Sequence, residues 1–257
     1  MDLKLRAYTL AVGSAVVLGF SPGVWAQVTL KPDGQWRYLF SAGGNATSGN
    51  SDTTAVNASG EAARVTEDDK LTVHGSLNYG RVDGAKSAQR YELGSQYNRD
   101  ISVNSFKFGS ADMLWDRPSN IGHRYSIAGG FGRHLLKDAD NSLDISLGLG
   151  YTQDAYVLAT EVLGETRSEY GRTELVMAEE SSHKLSDTTK LRQKVILFPN
   201  LTDRGSYRAS LDTGLSVAMT PRLNLTAGFT YRYNTDPGVG LKRIDTAFVT
   251  GVSLRFD

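Results

Sequence analysis

The sequence predicts an all-β protein, a transmembrane antiparallel up-and-down β-barrel of about 12 strands that follows a cleaved signal peptide. Three observations lead to this prediction. Apolar and polar residues alternate with a period of two along most of the chain. The connections between the alternating segments are short and long in turn, and aromatic residues concentrate near the segment ends. Outer-membrane barrels combine these three features.

The first 26 residues have the composition of a secretory signal peptide. Lys4 and Arg6 precede an uncharged run over residues 7–20, and Ala26 stands where a signal peptidase would cleave. The alternative, a retained membrane anchor, is disfavoured because the run is shorter than the roughly 20 residues that span a bilayer. We therefore expect a signal peptide over residues 1–26 and a single outer-membrane barrel domain over residues 27–257.

Twelve segments of alternating hydrophobicity follow. In the clearest segment, Leu143, Ile145, Leu147, Leu149 and Tyr151 alternate with polar or small residues. The predicted strands are 35–45, 53–65, 71–82, 88–99, 104–115, 122–135, 142–153, 170–183, 189–199, 206–219, 223–233 and 245–256. The eighth segment also fits a helix, because its apolar residues at 175–177 are consecutive.

The connections between these strands alternate in length. The shorter ones lie at 66–70, 100–103, 136–141, 184–188 and 220–222, and the longer ones at 47–52, 83–87, 116–121, 153–169, 200–205 and 234–244. Outer-membrane barrels carry short periplasmic turns and longer external loops. With an even number of strands, both termini are therefore expected on the periplasmic side.

Aromatic residues near both strand ends fit interfacial girdles on the lipid-facing side. Those near the long connections are Tyr79, Tyr91, Tyr125, Tyr151, Tyr207, Tyr231 and Tyr233. Those near the short connections are Tyr38, Phe40, Tyr97, Phe106, Phe131 and Phe256.

Charge and cysteine content exclude several classes of function. The chain has 28 basic and 28 acidic side chains, and this balance argues against a nucleic-acid partner, which would require a basic surface. It has no cysteine, so disulfides, thiolate metal sites and a cysteine nucleophile are excluded. No sequence motif indicates a cofactor.

The positions predicted to face the lumen form the candidate site. Fifteen of them are charged: Arg37, Glu61, Arg90, Glu92, Asp144, Arg172, Glu174, Lys190, Arg192, Lys194, Arg208, Asp212, Arg232, Asp245 and Arg255. Nine are basic and six acidic, and Lys190, Arg192 and Lys194 share one strand with no acid between them. This excess predicts a weak preference for anions if the barrel conducts. Mutually paired charges that plug the barrel are an equally good interpretation.

Two smaller groups of residues are candidates for a catalytic site and a metal site. His74, Ser76 and Asn78 share one face of the third strand and supply the residue types of a nucleophile, a base and an orienting group. They face the predicted lumen, away from lipid, so no catalytic residue is assigned. Asp138, Asp140 and Asn141 in a short turn suggest calcium, but the spacing does not match an EF-hand loop, and no metal site is predicted.

Several short motifs follow one another along the chain. They are SGNSDT at 48–53, EDDKL at 67–71, HKLSD at 183–187, FPNL at 198–201, YRY at 231–233, DPG at 236–238, and DT at 245–246 leading to Phe256. In their order and spacing the chain resembles the salt-induced outer-membrane protein (YdiY-like) family, over about residues 36–257. This bacterial family has no known function. The resemblance implies a Gram-negative outer-membrane barrel, although such barrels usually end in an aromatic residue and this chain ends Phe256-Asp257.

The expected function is that of a non-enzymatic outer-membrane barrel. It is either a narrow small-solute pore or a plugged barrel, and the resemblance adds a structural role in osmotic stress. The alternatives are a lipid-active enzyme built on His74 and Ser76, and a surface-interaction barrel that acts through external loops, of which 153–169 is the longest. The expected partners are outer-membrane lipids, lipopolysaccharide and the barrel-assembly machinery, which would read the last strand ending at Phe256. The oligomeric state is left open, with a monomer favoured.

Overall fold

Twelve strands make up almost all of the structure, a computed structural model that describes residues 32–47 and 53–256. They are β1 Trp36–Thr47, β2 Thr53–Val65, β3 Asp69–Val82, β4 Ala85–Ser102, β5 Ser105–Asp116, β6 Ile121–Lys137, β7 Asn141–Val162, β8 Glu165–Lys184, β9 Thr189–Pro199, β10 Tyr207–Ala218, β11 Leu223–Asn234 and β12 Ile244–Phe256. A 3₁₀ turn at Arg117–Ser119 joins β5 to β6. No helix in the described ranges is long and apolar enough to cross a membrane. The predicted signal peptide, residues 48–52 and Asp257 lie outside the described residues.

The strands close into one antiparallel barrel, which confirms the predicted fold class. Each strand pairs with its neighbours in sequence, and β1 completes the ring by pairing with β12. At this closure Tyr38 lies opposite Phe256 and Phe40 opposite Leu254. The eighth segment is a strand, since β8 pairs with both β7 and β9. Closure leaves no sheet edge with unpaired backbone groups, as a hydrocarbon environment requires.

The outer surface of the barrel is apolar. Ile127, Phe131, Leu147 and Phe248 each expose more than half of their side chains. About half of the buried residues described are instead charged or polar, and Glu174 and Asp154 are almost completely enclosed. This distribution is the reverse of that in a soluble protein and is expected for a barrel with a lipid-facing exterior and a polar interior.

The β7–β8 hairpin departs from the prediction. The predicted loop over 153–169 is wrong, because β7 and β8 continue to Val162 and Glu165 and are joined by a two-residue turn. Both turn residues, Leu163 and Gly164, have positive φ angles of 54° and 81°, and turns of that kind match the twist of a hairpin. The register shifts between Ala155 and Thr160, so four residues bulge from the ladder with β8.

Neighbouring connections hold this hairpin in place. The amide of Val157 donates to the carbonyl oxygen of Asn120, and the Asn120 side chain donates to the carbonyl oxygen of Leu158 at 2.8 Å. The amide of Leu163 donates to the carboxylate of Asp236 in the β11–β12 connection. The β7–β8 hairpin is therefore joined to the β5–β6 and β11–β12 connections at one end of the barrel.

Candidate functional site: the charged lumen

The barrel encloses an elongated cavity of about 610 Å³. Its lining extends from Lys70 and Asn98, near the short connections, to Lys242 and Arg243 in a long connection. The volume lies within the range of small-molecule pockets, roughly 300–1,000 Å³. The cavity therefore follows the barrel axis through most of its length.

Most of the fifteen predicted lumen charges lie along this cavity. The residues that line it are Glu61, Arg90, Glu92, Asp144, Glu174, Arg192, Lys194, Arg208, Asp212, Arg232 and Asp245. Arg172 lines a smaller cavity beside it, at the end with the long connections.

Three predicted lumen residues lie elsewhere, at the end with the short connections. Arg37 pairs with Asp33, which precedes the first strand. Arg255 donates a hydrogen bond to the carbonyl oxygen of Pro221. Lys190 is exposed on β9 and does not line the cavity. All three have the inward parity of their strands but lie beyond the end of the cavity.

The charges of the cavity lining are balanced. Nine described lining residues are basic: Lys70, Arg90, Arg124, Arg192, Lys194, Arg208, Arg232, Lys242 and Arg243. Nine are acidic: Glu61, Glu92, Asp112, Asp116, Asp144, Glu174, Glu180, Asp212 and Asp245. The positive excess counted from the sequence is therefore absent. Asp112, Asp116 and Glu180 were not among the fifteen predicted lumen charges, although each has the inward parity of its strand.

A chain of ion pairs crosses the lumen near the short connections. Arg192 on β9 donates to Glu180 on β8 at 2.6 Å and lies 3.6 Å from Glu61 on β2. Lys194 lies 3.6 Å from Glu180 and donates to the side chain of Gln96 on β4 at 3.4 Å. Since β2 and β4 are not neighbours of β9 in the sheet, these contacts bridge opposite walls. We call Glu61, Glu180, Arg192 and Lys194 the cross-lumen bridge.

A second set of ion pairs runs along the wall near the long connections. In the order of their contacts its members are Arg124, Asp154, Arg172, Glu174 and Arg208, which we call the arginine ladder. Arg172 donates to Asp154 at 2.9 Å and to Glu174 at 3.0 Å. Arg208 donates to both oxygens of Glu174, and Arg124 donates to both oxygens of Asp154. The alternation of sign compensates charges that burial would otherwise destabilise.

Small and apolar side chains occupy the lumen between these two charged sets. The inward positions there include Ala128, Ser146, Gly150, Val176, Ala178, Ile196, Gly214 and Gly228. Phe106 and Phe108 on β5 also line the cavity. The predicted place of Phe106 in a lipid-facing girdle is wrong, because its side chain is 3% exposed and its ring centroid lies 4.8 Å from that of His134. On this side of the lumen, the wall between the two charged sets is therefore less polar than the sets themselves.

His74 lies near the middle of the lumen and contacts a carboxylate. Its Nε2 atom lies 3.7 Å from Oδ1 of Asp112, across the intervening Gly94 of β4. A side chain at Gly94 would collide with both groups. Ser76 also lines the cavity, whereas Asn78 is buried with no hydrogen bond to either polar atom of its side chain. The structure therefore aligns His74 with Asp112 and leaves Asn78 outside the cavity.

The turn at Asp138, the candidate calcium site, is stabilised by hydrogen bonds from its own backbone. One oxygen of Asp138 accepts hydrogen bonds from the amides of Asp140 and Asn141, at 2.8 and 2.7 Å. These bonds hold the pKa of the Asp138 carboxyl below its usual value. In residues 32–47 and 53–256, no group of three or more histidine or carboxylate side chains is placed to hold a metal ion.

Comparison with known proteins identifies the family and shows related barrels. The family model described as "Protein of unknown function, DUF481" matches residues 40–256. No curated protein sequence matches the chain. Among solved structures, the NanC porin is 13% identical, with a TM-score of 0.48 over 84% of this chain and 98% of that one. The translocator domain of the autotransporter NalP from Neisseria meningitidis is 14% identical, with a TM-score of 0.44 over 86% and 88%. The anion-selective porin from Comamonas acidovorans is 7% identical, with a TM-score of 0.40 over 86% and 99%.

Proposed function

The chain belongs to the family of unknown function DUF481, and we propose that it is a non-enzymatic outer-membrane barrel that conducts small solutes through a narrow lumen. The observation that carries this proposal is the cavity, which extends from Lys70 near the short connections to Arg243 in a long one. In a narrow lumen the solute must pass the cross-lumen bridge, where side chains from opposite walls meet. The bridge is therefore the constriction of the proposed pore.

The proposed orientation places the short connections and both termini in the periplasm, as in bacterial outer-membrane barrels generally. The apolar exterior contacts outer-membrane lipids, and the long connections meet lipopolysaccharide outside the cell. The barrel-assembly machinery recognises β12, whose Phe256 is exposed on the lipid-facing side. The protein acts as a monomer, because the barrel is closed and its lumen is complete within one chain.

A plugged structural barrel is the second candidate, and the cross-lumen bridge is the observation that favours it. Ion pairs between opposite walls fix the shape of the barrel as well as narrowing its lumen. A lipid-active enzyme receives less support. His74 and Ser76 line the interior cavity, so a lipid on the outer surface would not reach them.

Conductance in a planar bilayer tests the proposal. Replacing Glu180 and Arg192 together with Ala removes one charge of each sign from the bridge, and we expect a larger single-channel conductance than in the wild type. The matched control replaces Asp187 and Lys190 with Ala, which removes the same charges from exposed positions outside the cavity. Its conductance should equal that of the wild type.

The folded state of each protein is checked by its heat-modifiable migration on a detergent gel. Because the lining charges balance, the wild type should show little selectivity in a salt gradient. Silence of the folded wild type together with the folded bridge variant would overturn the pore and favour the plugged barrel.

A further inference from the structure

Three basic side chains form a row on the lipid-facing surface, which we call the basic row: Arg99 on β4, Lys107 on β5 and Arg133 on β6. All three have the outward parity of their strands, and all three are exposed. In the described part of the chain, none of them has an ion-pair or hydrogen-bond partner. They are therefore cations on an apolar surface, with no counterion supplied by the protein.

The sheet register brings these cations together at one height. Arg99 lies directly opposite Lys107, and Ser105 lies opposite Arg133, two residues along β5 from Lys107. Side chains directly opposite each other in an antiparallel pair are about 5 Å apart, and like charges there repel. An external anion bound between Arg99 and Lys107 would reduce this repulsion.

One acidic side chain lies directly beside the row. Asp69 is the register partner of Arg99 on its other side. Its two carboxylate oxygens accept hydrogen bonds from the hydroxyls of Thr66 and Tyr97. Even if its charge is counted, the basic row and Asp69 together carry a net charge of +2.

The position of the row matches the boundary between hydrocarbon and headgroups. Lys107 is the third residue of β5, and Arg99 lies three residues before the end of β4, so both adjoin the short β4–β5 turn. A cation costs little at this depth, whereas it is strongly disfavoured at the midplane. Large apolar residues surround the row and are exposed to lipid, among them Ile101, Val103, Phe131 and Leu135.

We propose that the basic row binds the phosphate of an anionic glycerophospholipid in the inner leaflet of the outer membrane, with the acyl chains against the neighbouring apolar residues. This inference rests on the proposed function, because it requires a membrane-embedded barrel with its short connections in the periplasm. Arg and Lys are suited to binding phosphate, and each basic residue near an anionic lipid surface adds to the electrostatic attraction. Lipopolysaccharide is the other phosphate-bearing lipid of the outer membrane, but it lies in the leaflet at the opposite end of the barrel.

Native mass spectrometry of the folded barrel tests the site. The protein is released from detergent micelles doped with equal amounts of phosphatidylglycerol and phosphatidylcholine, and the retained lipids are counted. We expect the wild type to retain phosphatidylglycerol preferentially. The variant R99Q/K107Q/R133Q should lose this preference, with retention lowered on the order of tenfold or more.

The matched control K86Q/R117Q/R204Q removes three exposed cations near the long connections and should retain phosphatidylglycerol as the wild type does. Two results would overturn the site: equal retention of both lipids by the wild type, or unchanged preference in R99Q/K107Q/R133Q. Heat-modifiable migration and conductance of the same preparations test the barrel and the pore separately. A lipid site that fails in a conducting barrel therefore leaves the proposed function intact.

Discussion

At the scale of single residues, glycines in β6 and β7 allow two backbones and the ring of Phe108 to pack closely. Gly130 faces Gly148 across the β6–β7 ladder. A side chain at Gly130 would meet the carbonyl oxygen of Leu147 and lie 2.5 Å from Cα of Gly148. At Gly148 it would lie 2.9 Å from the ring of Phe108. Because the first obstacle is backbone, which cannot rotate away, the two strands would have to separate.

We therefore expect Gly130→Ala to destabilise the barrel, by about 1–3 kcal/mol as for other overpacked positions. Urea unfolding of the purified barrel, followed on a gel by loss of the compact band, measures the effect. Gly109→Ala on the adjoining strand is the control, because a side chain there would lie no closer than 3.9 Å to Ala128. Equal unfolding midpoints for the two variants would show that the close approach at Gly130 does not affect the stability of the barrel.

The partners of individual charges could be predicted only in part. Strand parity indicated that Arg192 and Lys194 face inward, because each strand alternates between two environments. It did not indicate that they pair with Glu180 or reach Glu61 on the opposite wall. That contact depends on the number of strands and on how the barrel closes, which no single strand encodes.

At the scale of elements, β7 shows what parity establishes. Leu147 is exposed on the outer surface, whereas Ser146 beside it lines the cavity. The two neighbouring residues therefore meet lipid and lumen respectively, and the same substitution should have different consequences at each.

Leu147→Arg should impair membrane insertion, because a cation near the bilayer midplane costs about 2–4 kcal/mol. Ser146→Arg should insert nearly as well as the wild type, since its charge enters a lumen that already holds many charges. The fraction of heat-modifiable protein after folding into vesicles measures the difference. Equal insertion of the two variants would contradict the assignment of the outer face to lipid.

The same strand shows where prediction from sequence failed. Alternation in β7 gives way to the consecutive residues 156–159, which do not show a strand pattern. In the structure this stretch is a bulge held by Asn120, in a connection distant in sequence. Every strand of the barrel was predictable because its pattern is local, whereas the extension of β7 and β8 depends on contacts with other connections.

At the scale of the whole molecule, the two ends of the barrel differ in structure. At one end the β5–β6 and β11–β12 connections are joined to the β7–β8 hairpin through Asn120 and Asp236. The other end has short turns and both ends of the described chain, with the basic row just above the β4–β5 turn. The proposed pore and the proposed lipid site both require this second end to lie in the periplasm.

Cysteine labelling in intact cells tests that orientation, and the absence of native cysteine gives it a clean background. Ala159 lies in the bulge of the β7–β8 hairpin, and Ala139 lies in the short β6–β7 turn; both are exposed. A membrane-impermeant maleimide should label Ala159→Cys and leave Ala139→Cys unlabelled, because only the first faces the medium. Disruption of the outer membrane should make Ala139→Cys reactive, which shows that the site itself is accessible. Labelling of Ala139→Cys in intact cells, with Ala159→Cys protected, would show that the barrel has the opposite orientation. The basic row would then lie among the lipids of the outer leaflet.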